Sequence, residues 1–247
     1  MFSPSTSQAP ILFGSTKPFT PPAWQTKDDR VRGGASQSYL SPIPSINSAR
    51  FHGHLDYDTL GGAGFASQFS PVIAPPTHDS SRNSNPNEEE NGNSADDRYW
   101  DLTTYDGIEV KVDKGGDGDM YTFILKDEVE KEKTQNGRGR AGMSWEATFR
   151  AHGRTDNEPA QHSEKENEEV MDEGDNVFVW LPWNGFKATY RGKAVEDPGT
   201  LKKERIRRVG LMMRSYYGNQ GGDFSLIIHS IVAKKAPADS AGRCSLM

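Results

Sequence analysis

The sequence lacks cysteine pairs and long apolar runs. A single cysteine, Cys244, occurs in 247 residues, so no internal disulfide can form and a reducing compartment is expected. No apolar run approaches the roughly 20 residues that a membrane-spanning helix needs, so no transmembrane segment is expected. The N-terminus has neither the apolar core of a secretory signal nor the Arg-rich pattern of a mitochondrial presequence, although no acidic residue precedes Asp28.

Apolar residues are also scarce, since they make up 33% of the chain and the mean hydropathy is −0.79. This composition predicts that part of the chain is not folded. The net charge of −6 is concentrated between Arg154 and Asn176, where nine acidic residues face two basic ones. Because the remainder is close to neutral, nucleic acid is not expected as a partner. We predict disordered insertions at about 74–98 and 152–176, a flexible arm over 1–18 and a flexible tail over 236–247.

Short strand-like segments recur between turn signals, and few stretches have a helical period. Apolar and polar residues alternate in Ala49–Asp56, as in a half-buried strand, whereas Val177–Leu181 is apolar on both faces and predicts a central strand. The turn Lys114–Asp119 is expected to join its neighbours into a hairpin. The other predicted strands are Ile108–Val112, Met120–Leu125, Met143–Phe149, Ile206–Met213 and Phe224–Val232. This pattern is typical of one all-β sandwich domain, which we place over residues 19–235.

A charged glycine loop near the start of the chain is the feature around which the rest is organised. Paired glycines supply backbone angles that a side chain forbids, or let another segment approach closely. Acid and arginine groups can close such a loop through charge-assisted hydrogen bonds. Either the loop binds a protein partner, together with the turn at Gly61 and Gly62, or its ion pairs lock a crossing of the sandwich. Its candidate residues are Asp28, Asp29, Arg30, Arg32, Gly33, Gly34 and Ser36.

No other constellation predicts a cofactor or a catalytic residue. The cluster Gly61–Ser67 is followed by Pro71 rather than by the helix that a phosphate-binding loop requires, so a tight turn or bulge into a strand is expected. No nucleophile elbow and no Walker-type loop occurs in the sequence. A non-enzymatic protein is therefore expected.

Metal sites are also disfavoured. His52 and His54 share a strand face with Asp56, which could hold zinc, but no further His or Cys has a matching spacing. A group of three aspartates could suggest a calcium site, but it lacks the distal Glu of an EF-hand loop. A solvated turn is therefore expected. Its members are Asp113, Asp117 and Asp119.

Two further features of the sequence support alternative functions. Trp183 is a candidate for an exposed platform that stacks on sugars. The last four residues, Cys244 to Met247, fit the C-a-a-X pattern for farnesylation, although Ser245 is not aliphatic. One lipid chain alone gives only reversible membrane contact, so the tail is either a weak anchor or a chance match.

Taken in order, a set of segments resembles the complex I intermediate-associated protein 30 family. They are Trp24 with Asp28–Ser36, Ala49–Asp56, Gly61–Ser67, Tyr121–Phe123, Trp145–Phe149, Leu181–Trp183 with Phe186, Arg191 with Gly192, Ile206–Leu211, and Phe224–Ile231.

The resemblance implies a galactose-binding-domain-like jelly-roll β-sandwich and a non-enzymatic assembly-factor or chaperone role toward subunits of mitochondrial NADH:ubiquinone oxidoreductase. Protein partners and a mitochondrial location are implied with it. The missing presequence pattern and the C-a-a-X tail leave a cytoplasmic paralogue with a different client, held peripherally on membranes through Cys244, as the alternative. A carbohydrate-binding module that uses Trp183 is the alternative from another class.

Overall fold

Two antiparallel β-sheets face each other across one main hydrophobic core. The computed structural model describes residues 10–20, 23–72, 99–114, 119–128, 142–151 and 176–236. These residues contain thirteen strands and no α-helix. In chain order the strands are β1 (Ile11–Gly14), β2 (Gln25–Thr26), β3 (Gln37–Ile43), β4 (Ser48–Leu55), β5 (Phe65–Phe69), β6 (Gly107–Asp113), β7 (Met120–Lys126), β8 (Ser144–Arg150), β9 (Asn176–Pro182), β10 (Lys187–Tyr190), β11 (Lys193–Ala194), β12 (Arg208–Arg214) and β13 (Gly222–Lys234).

The first sheet has the strand order β3-β4-β13-β6-β9, with β1 paired to β13. The second sheet has the order β11-β10-β8-β7-β12-β5-β2. Short 3₁₀ helices lie in the connections, at Asp29–Arg32, Pro44–Ile46, Trp183–Gly185 and Lys203–Arg205. Since consecutive strands repeatedly change sheet, the connectivity is jelly-roll-like, and the prediction of an all-β jelly-roll sandwich is confirmed.

Alternating apolar side chains build the core, as the sequence pattern predicts. In β4, Ala49, Phe51 and Leu55 are at most 1% exposed. The ring of Phe51 lies 5.1 Å from the ring of Phe224 in β13 and 6.2 Å from that of Tyr121 in the opposite sheet. Burial of each such side chain stabilises the fold by about 1.5–3 kcal/mol, which fixes the register of the strand.

The predicted hairpin between β6 and β7 is wrong. β6 pairs with β13 and β9 in the first sheet, whereas β7 pairs with β8 and β12 in the second. The connection around Lys114–Asp119, of which residues 115–118 lie outside the described part, therefore crosses between sheets. Alternation along a strand shows which face is buried but does not show which strand pairs with it.

The prediction of a central strand at Val177–Leu181 is also wrong, because β9 lies at the edge of the first sheet. Its outward side chain Phe178 is 37% exposed. The ammonium groups of Lys111 and Lys234 lie 5.2 and 5.9 Å from the centre of the Phe178 ring. The two lysine side chains therefore cover the outer face of the Phe178 ring. For this reason the strand is apolar on both faces although it lies at the sheet edge.

The sandwich begins earlier in the chain than the predicted boundary at residue 19. β1 pairs with β13, and its residues Leu12 and Phe13 are buried. The ring of Phe13 packs on Trp24 at 5.1 Å, so the start of the described chain is part of the core. The insertion at about 74–98, nearly all of the insertion at about 152–176 and nearly all of the tail at 236–247 lie outside the described residues.

Candidate functional site

Three loops meet at one end of the sandwich and form what we call the three-loop surface, made of residues 28–36, 56–64 and 215–221. The strand register places them there. The start of β3 pairs with the end of β4, since Gln37 lies opposite His54. The end of β4 lies beside the start of β13, and the start of β5 lies beside the end of β12. The charged glycine loop and the Gly61-Gly62 turn are therefore neighbours in space.

Asp28 is buried and joins the two sheets. Its Oδ1 accepts hydrogen bonds from the Ser38 hydroxyl at 2.7 Å and from the Ser67 backbone N–H at 2.9 Å. Its Oδ2 accepts the Ser38 backbone N–H at 3.0 Å and the Arg30 guanidinium at 3.4 Å. Ser38 belongs to β3 in the first sheet and Ser67 to β5 in the second, so one carboxylate serves both sheets.

Asp29 repeats this arrangement next to it and is completely buried. Its Oδ1 accepts the Ser36 backbone N–H at 3.0 Å. Its Oδ2 accepts the Ser36 hydroxyl at 2.6 Å and the Phe65 backbone N–H at 3.1 Å. The Ser36 hydroxyl oxygen also lies 3.0 Å from the backbone of Asp56.

We call Asp28 and Asp29 the aspartate clamp. β3 is the edge strand of its sheet, and Asp28 accepts the backbone N–H of Ser38, which an edge strand could otherwise leave unpaired. Charge-assisted bonds to a carboxylate are among the strong hydrogen bonds of a protein interior. The hypothesis of a structural lock therefore describes Asp28, Asp29 and Ser36, whose polar atoms point into the fold.

The two glycines of the loop have different tasks. Gly33 ends the 3₁₀ helix in a left-handed conformation, with φ of 87°. Gly34 lies against the clamp, because a Cβ added to it would lie 2.3 Å from Oδ1 of Asp29 and 2.9 Å from Cδ1 of Leu60. One glycine thus supplies the backbone angle and the other allows the close approach.

The tip of the loop turns outward. Val31 is 72% exposed, and the Arg30 side chain is 51% exposed despite its contact with Asp28. The Arg32 guanidinium lies 5.4 Å from the centre of the Phe65 ring, so its exposed charge is held in place by an aromatic contact. An Arg-Val-Arg tip therefore stands on a rigid, buried base.

The predicted glycine turn is confirmed and packs against this loop. The Gly62 N–H donates to the Tyr57 carbonyl at 2.7 Å, and Gly61 and Gly62 both have positive φ, as a tight turn requires. Leu60 from this turn packs on Gly34. Gly62 in turn contacts the backbone of Tyr217, so the three loops form a continuous surface.

The pair Tyr216 and Tyr217 is the part of this surface that the sequence did not reveal. Both residues have positive φ, at 45° and 60°, and Tyr217 is 92% exposed. No local signal in the sequence predicts that two bulky residues before a glycine adopt a left-handed backbone.

Trp183 does not form an exposed platform. It is half-buried, and its Nε1–H donates to the Tyr105 carbonyl at 2.6 Å. Its ring packs on Phe186 at 5.8 Å, and the Lys203 ammonium lies 5.9 Å from its centre. Trp183 is also remote in the chain fold from the three-loop surface, since it follows β9 at the opposite edge of the first sheet from β3.

The histidines of β4 lie on the outer face of the first sheet. His52 lies 2.9 Å from the Ser41 hydroxyl, and His54 pairs with Asp223 at 2.7 Å. Burial, and then the Arg50 guanidinium, lower the pKa of His52. In the part of the chain that the structure describes, no group of three His, Cys, Asp or Glu residues is placed to hold a metal ion.

A Ser-His-Asp chain crosses the same face. His229 lies 2.8 Å from the Ser48 hydroxyl through Nδ1 and 2.5 Å from Asp113 through Nε2. The Ser48 oxygen also lies 3.0 Å from the Ile46 carbonyl oxygen, and Ser48 is 2% exposed, so its hydroxyl is shielded from solvent. Asp113, a member of the acidic group for which a solvated turn was expected, lies against His229, and Asp117 lies outside the described residues.

The fold is an all-β sandwich, and its three-loop surface lies beside the sheet edge that the aspartate clamp holds. Comparison with protein families adds the specific assignment. The family described as Complex I intermediate-associated protein 30 matches residues 11–164 and 167–228. The chain belongs to this family, as its segments predict.

The chain is also similar to individual proteins and solved structures. Uncharacterized protein C9E9.15 of Schizosaccharomyces pombe is 31% identical over 226 residues, which is 90% of this chain and 83% of that protein. Among solved structures, the family 11 carbohydrate-binding module of cellulosomal cellulase Lic26A-Cel5E of Clostridium thermocellum has a TM-score of 0.49 at 13% identity, covering 95% of this chain and 99% of the module. The Clostridium thermocellum module in complex with a beta-1,3-1,4-mixed-linked tetrasaccharide has a TM-score of 0.44 at 12% identity, covering 86% and 89%.

Family membership indicates a role related to complex I assembly, with protein partners. None of the residues that the structure describes belongs to a helix with the length and apolarity needed to cross a bilayer.

Proposed function

We propose that this protein is a non-enzymatic, chaperone-like assembly factor that binds unfolded or unassembled subunits of mitochondrial respiratory complex I through the three-loop surface. Family membership supports the process. The observation that carries the site is the Arg30–Arg32 tip, which is exposed while the residues directly before it are buried in the clamp. A mitochondrial location forms part of the proposal.

The geometry favours binding because the tip is held rigid before any partner arrives. The clamp fixes the loop from inside, and Leu60 of the neighbouring loop and Phe65 at the start of β5 support it. A surface that is already ordered loses little conformational entropy on association. Arginine is also enriched among the residues that dominate binding energy at protein interfaces.

Replacement of both Arg30 and Arg32 with alanine is expected to reduce co-purification of complex I subunits at least about tenfold, because two exposed guanidinium groups leave the interface. The lost Arg30–Asp28 and Arg32–Phe65 contacts should lower the free energy of unfolding by only about 1 kcal/mol, since both arginines are exposed. The measurement is quantitative mass spectrometry of proteins captured with the full-length chain from mitochondrial extract.

Arg191→Ala is the matched control, because its guanidinium lies 5.4 Å from the Tyr190 ring at another edge of the molecule. It should leave capture unchanged. An identical set and amount of partners from wild type and the double variant would rule out the loop as the binding site.

The sugar-binding alternative has less support, because Trp183 has its N–H and much of its ring engaged within the fold. The alternative of a cytoplasmic, farnesylated paralogue rests on the C-a-a-X pattern at Cys244, which lies outside the described residues.

A cell-localisation experiment separates the two compartments. For the assembly factor we expect import of an N-terminally or internally tagged chain into the mitochondrial matrix, unchanged by Cys244→Ser. Membrane association from the cytosol that disappears in Cys244→Ser, with incorporation of a farnesyl analogue only in the wild type, would instead establish the lipidated paralogue. The tag must not occupy the C-terminus, because farnesylation requires the free C-a-a-X end.

A further inference from the structure

The last strand of the first sheet, β9, has an edge without the usual protection. In the described part of the chain, β6 is its only strand partner, and the ladder between them runs over all seven residues, Asn176–Pro182, without a bulge. None of these seven residues is charged. Natural proteins protect long edge strands with charges, bulges or prolines, because open backbone groups recruit another strand. β9 has a proline only at its end, so most of its edge is competent to pair.

The strands at the other ends of the two sheets differ from β9 in this respect. β2 and β11 contain only two residues each. β3 is seven residues long, but its Ser38 N–H donates to Asp28 and its Ser38 carbonyl accepts the Gln68 side-chain amide at 2.9 Å. Pro42, in the second half of β3, has no N–H. The edge of β3 is therefore largely closed, whereas that of β9 is open.

The register shows which backbone groups of β9 point to the open side. Trp183, directly after the strand, donates its N–H to the carbonyl of Asp106, directly before β6, at 3.1 Å. In an antiparallel ladder every second residue bonds to the neighbouring strand, which here selects Leu181, Val179 and Val177. The N–H and C=O groups of Phe178 and Trp180 therefore point away from β6, and the structure gives them no hydrogen-bond partner among the described residues.

A second copy of β9 complements these groups in one register. When two copies run antiparallel about a two-fold axis at Val179, Phe178 of one copy lies opposite Trp180 of the other. Both residues point outward, so each N–H meets a carbonyl of the other copy. Asn176 then lies opposite Pro182, and all seven residues find a counterpart. Aromatic side chains opposite each other on one sheet face further stabilise such a pairing.

The charges around β9 favour the same occupant and the same register. Two copies of an uncharged strand place no like charges opposite each other. The ammonium groups of Lys111 and Lys234 lie 5.2 and 5.9 Å from the centre of the Phe178 ring. In the register centred on Val179, these cations come beside the Trp180 ring of the other copy, which attracts them. A register centred on Phe178 would instead bring the lysines of the two copies together.

We propose that β9 pairs with β9 of a second copy of this chain, antiparallel and centred on Val179, and that the two first sheets join into one. Because a two-fold pairing uses the same edge of both copies, the assembly closes as a homodimer. β3 and its aspartate clamp lie at the opposite end of the first sheet, so the dimer carries two three-loop surfaces outside the contact. This inference goes beyond the proposed function and does not depend on it.

Sedimentation velocity of the purified full-length chain tests the association. The contact is made by one strand on each side, so the interface is small and a dissociation constant in the micromolar range is expected. The chain should therefore convert from monomer to dimer between about 1 and 200 µM. A chain that remains monomeric over this range, alone or with a different polypeptide bound at β9, would overturn the proposal.

Two substitutions of Phe178 separate the contribution of the backbone from that of the side chain. Phe178→Thr keeps the outward N–H but removes both aromatic pairs of the dimer, so association should weaken about tenfold. Phe178→Pro also removes one outward N–H from each copy and should weaken association at least about a hundredfold, while the ladder with β6 needs no N–H there. Tyr39→Thr is the control, because this ring is 47% exposed on β3 at the opposite edge, and it should leave association unchanged. Wild-type association in Phe178→Pro, with an unchanged circular dichroism spectrum, would refute pairing through β9.

Disulfide crosslinking tests the register with the backbone groups intact. Cys244→Ser removes the natural cysteine, and Phe178→Cys and Trp180→Cys are then made in separate chains with different tags. Opposite hydrogen-bonded residues have Cα atoms about 5.5 Å apart, within reach of a disulfide, whereas the two copies of residue 178 form a diagonal pair about 7–8 Å apart. Under mild oxidation the mixture should crosslink at least about tenfold faster than either variant alone. Equal rates in all three samples, or no crosslinked dimer in the mixture, would contradict the proposed pairing.

Discussion

Asp29→Ala is expected to lower the free energy of unfolding by about 3–5 kcal/mol, because it removes the acceptor of three hydrogen bonds at a completely buried position. The backbone N–H groups of the buried Ser36 and the half-buried Phe65 would then lose their acceptor, and a donor left unpaired in the interior costs about 1–3 kcal/mol. For a chain of this size, the melting temperature should fall by roughly 10 °C. Urea denaturation of the purified full-length protein provides the measurement.

Asp223→Ala is the matched control for this prediction. Its side chain is 92% exposed and pairs only with the half-exposed His54 in the contacts that the structure describes, so the change should stay within about 0.5 kcal/mol. Asp29→Asn tests whether the carboxylate is required. The amide nitrogen would face a donor in either orientation, so we expect a loss of at least about 2 kcal/mol. A stability equal to that of wild type in both Asp29 variants would show that the clamp does not hold the sheets together.

The sequence pattern predicts the burial of a side chain correctly where that burial depends only on the strand to which the residue belongs. The alternation in Ala49–Asp56 identified the buried face of β4 because a period of two leaves no other way to bury Phe51 and Leu55. The same holds for β8, where Trp145, Ala147 and Phe149 face the core. Summed over the strands, this information was enough for the all-β class.

The same pattern does not predict which strands pair with each other or where a strand lies within its sheet. β6 alternates as one strand of a hairpin would, but it pairs with β13 and β9 instead of β7, and β7 pairs with β8 and β12. In β9, the exposed Phe178 resembles a core residue because its cover comes from lysine side chains on other strands. Both errors arise from contacts at long sequence separation, which local periodicity does not encode.

The candidate site was predicted in part for the same reason. Charge and glycine content marked the Asp28–Ser36 loop, and the alternatives of lock and binding site both came from those residues. In the structure Asp28 and Asp29 point inward and form the lock, whereas Arg30 and Arg32 of the same loop are exposed and form the proposed binding site. The approach of Tyr217 follows from the pairing of β12 with β5, so the loop sequence alone did not predict it.

This division lets stability and binding be changed separately within a few residues. Substitutions of the inward carboxylates should act on unfolding, and substitutions of the outward guanidinium groups should act on capture of partners. A binding loss in an Asp29 variant would therefore be interpretable only after its stability is known. The Arg30 variant needs the same check, because its guanidinium donates to the buried Asp28 carboxylate. The loop is thereby a structural element and a candidate interface at once.

Gly34→Ala is expected to destabilise the protein by about 3 kcal/mol or more, although it adds only one methyl group. That methyl carbon would lie 2.3 Å from Oδ1 and 2.4 Å from Cγ of Asp29, so the carboxylate must leave the position from which it bonds Ser36 and Phe65. The cost combines overpacking with the loss of buried hydrogen bonds. The measurement is again the free energy of unfolding in urea.

Gly33→Ala is the control next to it, because an added Cβ there meets no atom within 4 Å. Only its left-handed backbone opposes the change, at a cost of about 1–2 kcal/mol. A double-mutant cycle then identifies the cause. When Asp29 is already alanine, the methyl group of Gly34→Ala no longer meets a carboxylate, so the second substitution should cost much less than it does in the wild type. Strict additivity of Asp29→Ala and Gly34→Ala would mean that the glycine does not act through the clamp, and the close approach of these two residues would then have no energetic consequence.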